Sequence, residues 1–409
     1  VSQEGDRTLG ERVTELRTRR GLSQKELASE VGRSESWVSQ VERDVLKVER
    51  VPVLRALADA LGVSVRELRS EAVAPGADGQ TRRAGDMDAL RMAMTGHPTP
   101  DLLLGHHSER TADVEGLAWR VAEAWSLTHA SDFAALNAVL IDLLPDLERA
   151  WRGAGELQRQ ALGRLLADAY QAAASAFARL DEADASWVAA DRSITVAELG
   201  GDPLGALAGL FRMAHAFITL RRLDQAEHVA RTGIAALAPV VGGEDPEPAA
   251  LSLYGALNLV LAIVHARAGR RTEAREAIAA GRRIGELLGA DRNDYETEFG
   301  PTNVELHAIA VAVELGDAGE ALDLASEVDA SGLSAERQSR LYIDLARAHA
   351  QRRHVGEAVQ ALLEAERHAP EQVHTHALAR QLIRDLITLA GRRASDDLLG
   401  LARRSAAMP

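Results

Sequence analysis

The chain has no cysteine, only two lysines (Lys25 and Lys47) and 3% aromatic residues. Without cysteine there is no disulfide framework and no thiolate metal site, which suits a reducing compartment. No apolar run approaches the roughly 18 residues of a membrane helix, and no signal peptide is read at the start; the expectation is a cytoplasmic protein with no membrane partner. Phosphate-loop, serine-elbow and paired-acid patterns are lacking, so neither enzymatic activity nor a cofactor is expected. His106 with His107, and His374 with His376, have no further ligand at metal-binding spacing, so no metal is expected either.

What is present is an ordinary globular composition, 46% hydrophobic and 26% charged over 409 residues, enough for two or three domains. The net charge of −14 is unevenly placed. Residues 1–70 hold 13 basic against 12 acidic side chains, and the remainder holds 34 against 49. A body of −15 is repelled by phosphate, so only the first segment is suited to meet DNA.

That segment reads as four or five short helices. The first runs near Leu9–Arg20, with Val13 and Leu16 on one face, and ends at Gly21. Ser23 and Glu26 form a capping box for Gln24–Val31; Gly32 supplies a left-handed turn; Ser34 caps a helix reaching Arg43. A fourth helix near Val53–Leu61 ends at Gly62, and Ser64 with Glu67 caps a fifth. Small Ala28 and the apolar Leu27, Val31, Val38 and Val41 would lock the second helix against the third, leaving the third's outer face free to enter a major groove.

The stretch GLSQKELASEVGRSESWVSQVERD, followed by LRALADALGVSVREL, closely resembles the lambda-repressor-like (Cro/C1, or XRE) helix-turn-helix family. The resemblance implies that Arg33, Ser34, Glu35, Ser36, Ser39 and Gln40 face bases or phosphates. It implies that Gln24 holds a phosphate, that Arg43 and Lys47 grip the backbone, and that Arg17 and Glu42 form a structural ion pair. Glutamine can read adenine with two hydrogen bonds and glutamate can accept from cytosine, at about 1–3 kcal/mol per good base contact. Trp37 borders the buried stripe and is read as packing.

Residues 71–86, including AVAPGADGQTRRAGD, have no hydrophobic period and read as a linker between a DNA-binding domain at 7–70 and a body at 87–409. A short helix near Met87–Met94 precedes a break at Gly96–Pro100. From about Leu117 the pattern is helical throughout, with small residues recurring as in tetratricopeptide-type helix pairs. Repeats are read around Ala173 with Ala185, around Ala214 with Ala226 and Gly233, and around Ala262 with Gly269, Ala274 and Gly281. Two more surround Gly316 with Ala321, and Ala346 with Ala358, Ala365 and Pro370. The fold class expected is all-α: an N-terminal helix-turn-helix domain followed by a tetratricopeptide-like α-solenoid.

In such a solenoid the first helix of each pair lines a concave surface. Tyr170, Phe177, Phe211, His215, Asn303, Arg340 and Arg347 fall there by repeat position, with Tyr254 and Asn258, and Asn303 and His307, each pair four apart. Aromatic, amide and guanidinium groups around a hollow suit a small molecule or a short peptide. The combination resembles regulators of Gram-positive bacteria in which the body senses a small signal, often a quorum-sensing peptide, and the arginine- and alanine-rich composition fits an actinobacterial version. It implies a homodimeric, ligand-responsive transcription regulator on an inverted-repeat operator in double-stranded DNA, associated with the nucleoid. The alternative is a DNA-tethered scaffold that recruits a protein partner and takes no small ligand.

Overall fold

A computed structural model describes residues 9–20, 22–43, 46, 48, 53, 57, 58, 60, 61, 87–94 and 112–408. The chain divides into two compact units, Val1–Ala84 and Gly85–Pro409. Lys47, Gly62, the expected fifth helix with Ser64 and Glu67, the linker, the break at Gly96–Pro100 and His106–His107 lie outside the described residues.

In the first unit α1 spans Leu9–Arg19, α2 Gln24–Glu30 and α3 Glu35–Glu42, and residues 53, 57, 58, 60 and 61 are also helical. The helix starts are set locally. Ser23 Oγ accepts from the Glu26 amide at 3.2 Å while the Ser23 amide donates to Glu26 Oε2 at 2.7 Å, a complete capping box. Ser34 Oγ accepts from the Trp37 amide at 3.2 Å to open α3. Between them Gly32 takes φ +64°, the left-handed turn that brings α3 across α2. Val13, Leu27, Ala28, Val38, Val41, Leu57 and Leu61 form the buried centre, and Val31 is half-buried beside it. At Gly10 α1 meets α3 backbone to backbone: a Cβ there would stand 2.5 Å from the carbonyl oxygen of Val41.

The second unit opens with a helical stretch at 87–94, whose Met87, Leu90 and Met94 are buried in the same cluster as Trp125 and Phe133. Six helix pairs follow: α4 (Val114–Ala130) with α5 (Phe133–Gly153), α6 (Glu156–Arg179) with α7 (Ala183–Leu199), and α8 (Pro203–Thr219) with α9 (Leu223–Val241). The others are α10 (Pro248–Arg267) with α11 (Arg271–Leu288), α12 (Pro301–Glu314) with α13 (Ala318–Ala325), and α14 (Ala335–Gln351) with α15 (Val355–His368). Three short helices, α16 (Pro370–Thr375), α17 (Ala377–Ala390) and α18 (Asp396–Arg404), finish the chain. Every pair turns on one residue in the left-handed region: Ser131, Asp181, Arg221, Gly269, Gly316 and Arg353 in turn. Asp113, Asp132 and Asp202 cap α4, α5 and α8 through side-chain bonds of 3.0 Å to the third residue on.

First helices stack on first helices, α4 on α6, α6 on α8, and so on to α14, with each second helix packed outside its partner. Alanine and glycine make that approach close: α6 buries Ala167, Ala169, Ala172, Ala173, Ala174 and Ala176. The expected concave surface closes on itself, because α14 returns to pack on α4. Ser131 Oγ donates to Gln372 Oε1 at 3.2 Å, and the Phe133 amide donates to Glu371 Oε2 at 2.9 Å, across that seam.

One expectation is corrected. Pro248–Arg267 (α10) is long and apolar enough to cross a membrane by length and composition, although no such run was read from the sequence. Within the fold 89% of that window is buried, the pattern of a central core helix contacted on all sides.

Candidate functional site

On the first unit, α3 presents an exposed face opposite its buried Val38 and Val41. Arg33, Ser34, Glu35, Ser36 and Arg43 are exposed, and Ser39 and Gln40 are half-buried on the same helix. Trp37 is half-buried against the core, and the Arg33 guanidinium lies 5.7 Å from the centre of its ring. Arg43 Nε donates to the Ser39 carbonyl at 3.1 Å, which draws that side chain back along α3. Behind the face, Arg17 Nε meets Glu42 Oε1 at 2.5 Å, and Gln24 Nε2 donates to Glu42 Oε2 at 2.6 Å. Gln24 is therefore held by Glu42 at the start of α2, leaving its carbonyl oxygen and backbone amide at the helix end. The arrangement suits a helix entering a major groove with short polar side chains, with phosphates on either side.

On the second unit, the first helices enclose a cavity of about 670 Å³. Five of the nine residues assigned to a ligand from sequence line it: Phe211 and His215 on α8, His307 on α12, and Arg340 and Arg347 on α14. The remaining four do not line this cavity. Tyr170 is turned into the packing, where its hydroxyl donates to Glu148 and Arg192 lies over its ring. Tyr254 packs half-buried on the core around α10, and Asn258 Nδ2 is taken up by the Tyr254 carbonyl at 2.8 Å. Asn303 donates to the Glu298 carbonyl at 2.7 Å and lines only a small side pocket together with His307, Arg337 and Arg340. Phe177, also placed on the concave side, is fully buried.

The cavity's dominant feature is one the sequence reading missed. Besides Arg340 and Arg347 it is lined by Arg179, Arg212, Arg221, Arg267 and Arg337, with Asp181 and Glu314 as the lining carboxylates. The signal was there: Arg212 is the only charged residue in PLGALAGLFRMAHAFIT, an otherwise apolar helix. Most of these guanidiniums are pinned from behind. Arg347 pairs with Asp344 at 2.9 Å and Glu314 at 3.3 Å, Arg267 with Glu314 at 3.3 Å, Arg337 with Glu298 at 3.2 Å, and Arg179 with Glu336. Arg212 donates to the carbonyl of Glu296 at 2.6 Å and packs over Trp125 and Phe211, 4.9 and 5.0 Å from their ring centres. Its Nε is buried with no partner.

The crowding leaves its mark on protonation. Burial, then the neighbouring arginines, pushes Arg212 down to about 10 and lowers Arg340 and Arg179 from the usual guanidinium value. The same causes lower His215 and bring His376 down to about 3. His307 is also brought down to about 3, by burial and by Arg337 and Arg340 against a bond to the Asn303 carbonyl. The three imidazoles are thus neutral near pH 7 and present one donor and one acceptor each.

Behind two of the lining arginines runs an acidic segment between α11 and α12. Tyr295, Glu296 and Glu298 all stand in the left-handed region, a strained backbone for side chains of that size. Phe299 anchors it, fully buried with its ring so close to Gly255 on α10 that a Cβ there would lie 2.0 Å from the ring. Its groups reach three first helices. Glu296 meets His129 of α4 at 2.7 Å and Glu298 meets it at 3.4 Å; Glu298 also pairs with Arg337 of α14; Arg212 of α8 holds the Glu296 carbonyl. Tyr295 donates to Asp202 at 3.1 Å. The segment therefore ties the first helix pair to the last through His129 and Arg337, and both to α8 through Arg212.

Residues 8–72 match a family model described as a helix-turn-helix domain. No curated protein matches the chain. Among solved structures, the chain is similar to one described as the crystal structure of Bacillus thuringiensis PlcR in complex with the peptide PapR7 and DNA. The two share 14% identity over 69% of this chain and 95% of that one, with a TM-score of 0.30.

Proposed function

We propose that the protein is a sequence-specific DNA-binding transcription regulator whose helical body senses a small effector. The observation that carries this is the pairing of a helix-turn-helix domain with a separate unit enclosing a cavity of about 670 Å³, within the range of small-molecule sites. A cavity lined by arginines, histidines and Phe211 favours sensing over the scaffold reading, for which a shallow apolar groove would be expected. The protein binds its effector without transforming it, acts in the cytoplasm, and reads an inverted repeat as a homodimer, which restores the affinity that the exposed Glu35 costs a single domain near phosphate.

Arg212 and Arg337 face the cavity while holding the strained segment of Tyr295–Glu298. An effector that takes over these guanidiniums loosens the seam between α4 and α14, and the body shifts between a closed and a relaxed ring. Switching DNA occupancy fully needs a preference of about 5.5 kcal/mol for one state. The test is selection of bound fragments from random-sequence DNA by the full chain, followed by affinity measurements with and without a metabolite extract. Recovery of a two-fold symmetric site whose affinity responds to the extract is expected; binding without sequence preference would overturn the reading.

A further inference from the structure

Resting on the sensor reading, we propose that the cavity takes a small organic dianion: a molecule with two negatively charged oxyanion groups, phosphate or carboxylate, gripped chiefly by Arg340 and Arg212. The argument begins with a charge balance. Seven lining arginines stand against the lining carboxylates Asp181 and Glu314, while Glu298, Glu336 and Asp344 pair with three of them from behind. Seven cations against five carboxylates leave a surplus of two. Among the described residues three lining arginines have no carboxylate in ion-pair contact, Arg212, Arg221 and Arg340; Arg221 is exposed to water, so the surplus falls on Arg212, which is buried, and on Arg340, which has no hydrogen bond there either.

Taking a cation out of water without a partner is costly, and large cavities do not need one for packing. These two occur in a body that is otherwise strongly acidic, so they are not the overflow of a basic surface. Guanidinium matches a carboxylate or phosphate with two parallel hydrogen bonds. Two such groups, on α8 and on α14, suit a ligand with an anion at each end or with one doubly charged phosphate. Beside Arg212, Phe211, 5% exposed and edge-on to His215 at 4.6 Å, offers an apolar wall for the ligand's body. A neutral or cationic effector would leave the surplus in place.

The test uses the full chain, with inorganic pyrophosphate, succinate and acetate titrated calorimetrically at constant ionic strength, and thermal unfolding read in parallel. Saturable binding of one pyrophosphate or succinate per chain is expected, with acetate at least about tenfold weaker. Preference for one probe identifies phosphate or carboxylate as the natural group. In Arg340→Gln the affinity should fall at least about tenfold while the ligand-free unfolding temperature holds or rises, because an unpaired cation has been removed. Arg231→Gln, on the exposed side of α9, should bind as the parent does. Dianions binding no better than acetate, or Arg340→Gln binding them undiminished, would overturn the proposal. Dianion binding with unchanged DNA affinity supports this proposal and overturns the sensor reading. DNA affinity that responds only to uncharged compounds does the reverse.

Discussion

The two units handle charge in opposite ways. The DNA-facing helix puts short polar groups and single charges into water, and its buried ion pair, Arg17 with Glu42, holds the fold. The body lines a cavity with seven arginines, and among the described residues three of them, Arg212, Arg221 and Arg340, have no carboxylate in ion-pair contact. A surface built for a fixed partner, the DNA phosphates, can be complete in itself and waits only for docking. A cavity with surplus charge is incomplete until something fills it, and that incompleteness is what lets occupancy change the structure.

The sharpest way to separate the units is Glu42→Ala. It strands Arg17 and frees Gln24, and should cost about 3–5 kcal/mol in a small domain. Loss of binding to every DNA sequence is expected while the body's calorimetric transition stays in place; a common shift of both transitions would break the comparison. Gly255→Val is the counterpart in the body. Its side chain collides with Phe299 and should cost about 1–3 kcal/mol, lowering the body's transition alone.

The seam can be probed by pH. Burial works against protonation of His129, but Glu296 and Glu298 prevail and raise it from 6.5 to about 9. Trp125 stacks on the ring and Asn293 lies 3.4 Å away, while Arg212 and Arg337 hold the same segment from the other side. Because the folded value is the higher one, the stabilisation is whole below about pH 6.5 and is lost as pH rises through 9. The body's unfolding temperature should therefore fall across that window, and His129→Asn should flatten the fall. Smaller effects belong to the first unit. Gln40→Ala should relax specificity at one base position by about 1–3 kcal/mol, whereas Arg43→Ala should weaken all sequences alike and reduce the salt slope by about 1. Uniform loss in both variants would mean that base and phosphate contacts are wrongly divided between them.

The first unit was legible because its signals are local. Ser23 with Glu26, Gly32 and Ser34 each act within four residues, and the helix starts follow from them. In the body, Gly269 and Gly316 marked two of the six turns, but Ser131, Asp181, Arg221 and Arg353 take the same left-handed conformation without being glycine, so their turns carried no such mark. The first pair escaped the repeat pattern partly because Pro145 lies inside α5, where a proline ordinarily reads as a break. Repeat position for Tyr170 and Asn303, and four-residue spacing for Tyr254 and Asn258, put these residues on the correct helices but not on the correct face. A helix lining a closed ring also packs on two neighbours, and one period cannot say which side a residue takes. The arginine cluster was the least legible part, since it assembles helices from Arg179 to Arg347 and exists only once α14 has returned to α4.

The most direct test of the account is native mass spectrometry of gently purified full-length protein, alone and bound to its selected DNA site. Ligand in the body and DNA on the first unit are coupled reciprocally, so the occupancy of a small anionic adduct should differ between the free and DNA-bound forms. The same adduct at equal occupancy in both would contradict the claim that the body reports its ligand to the DNA-binding unit.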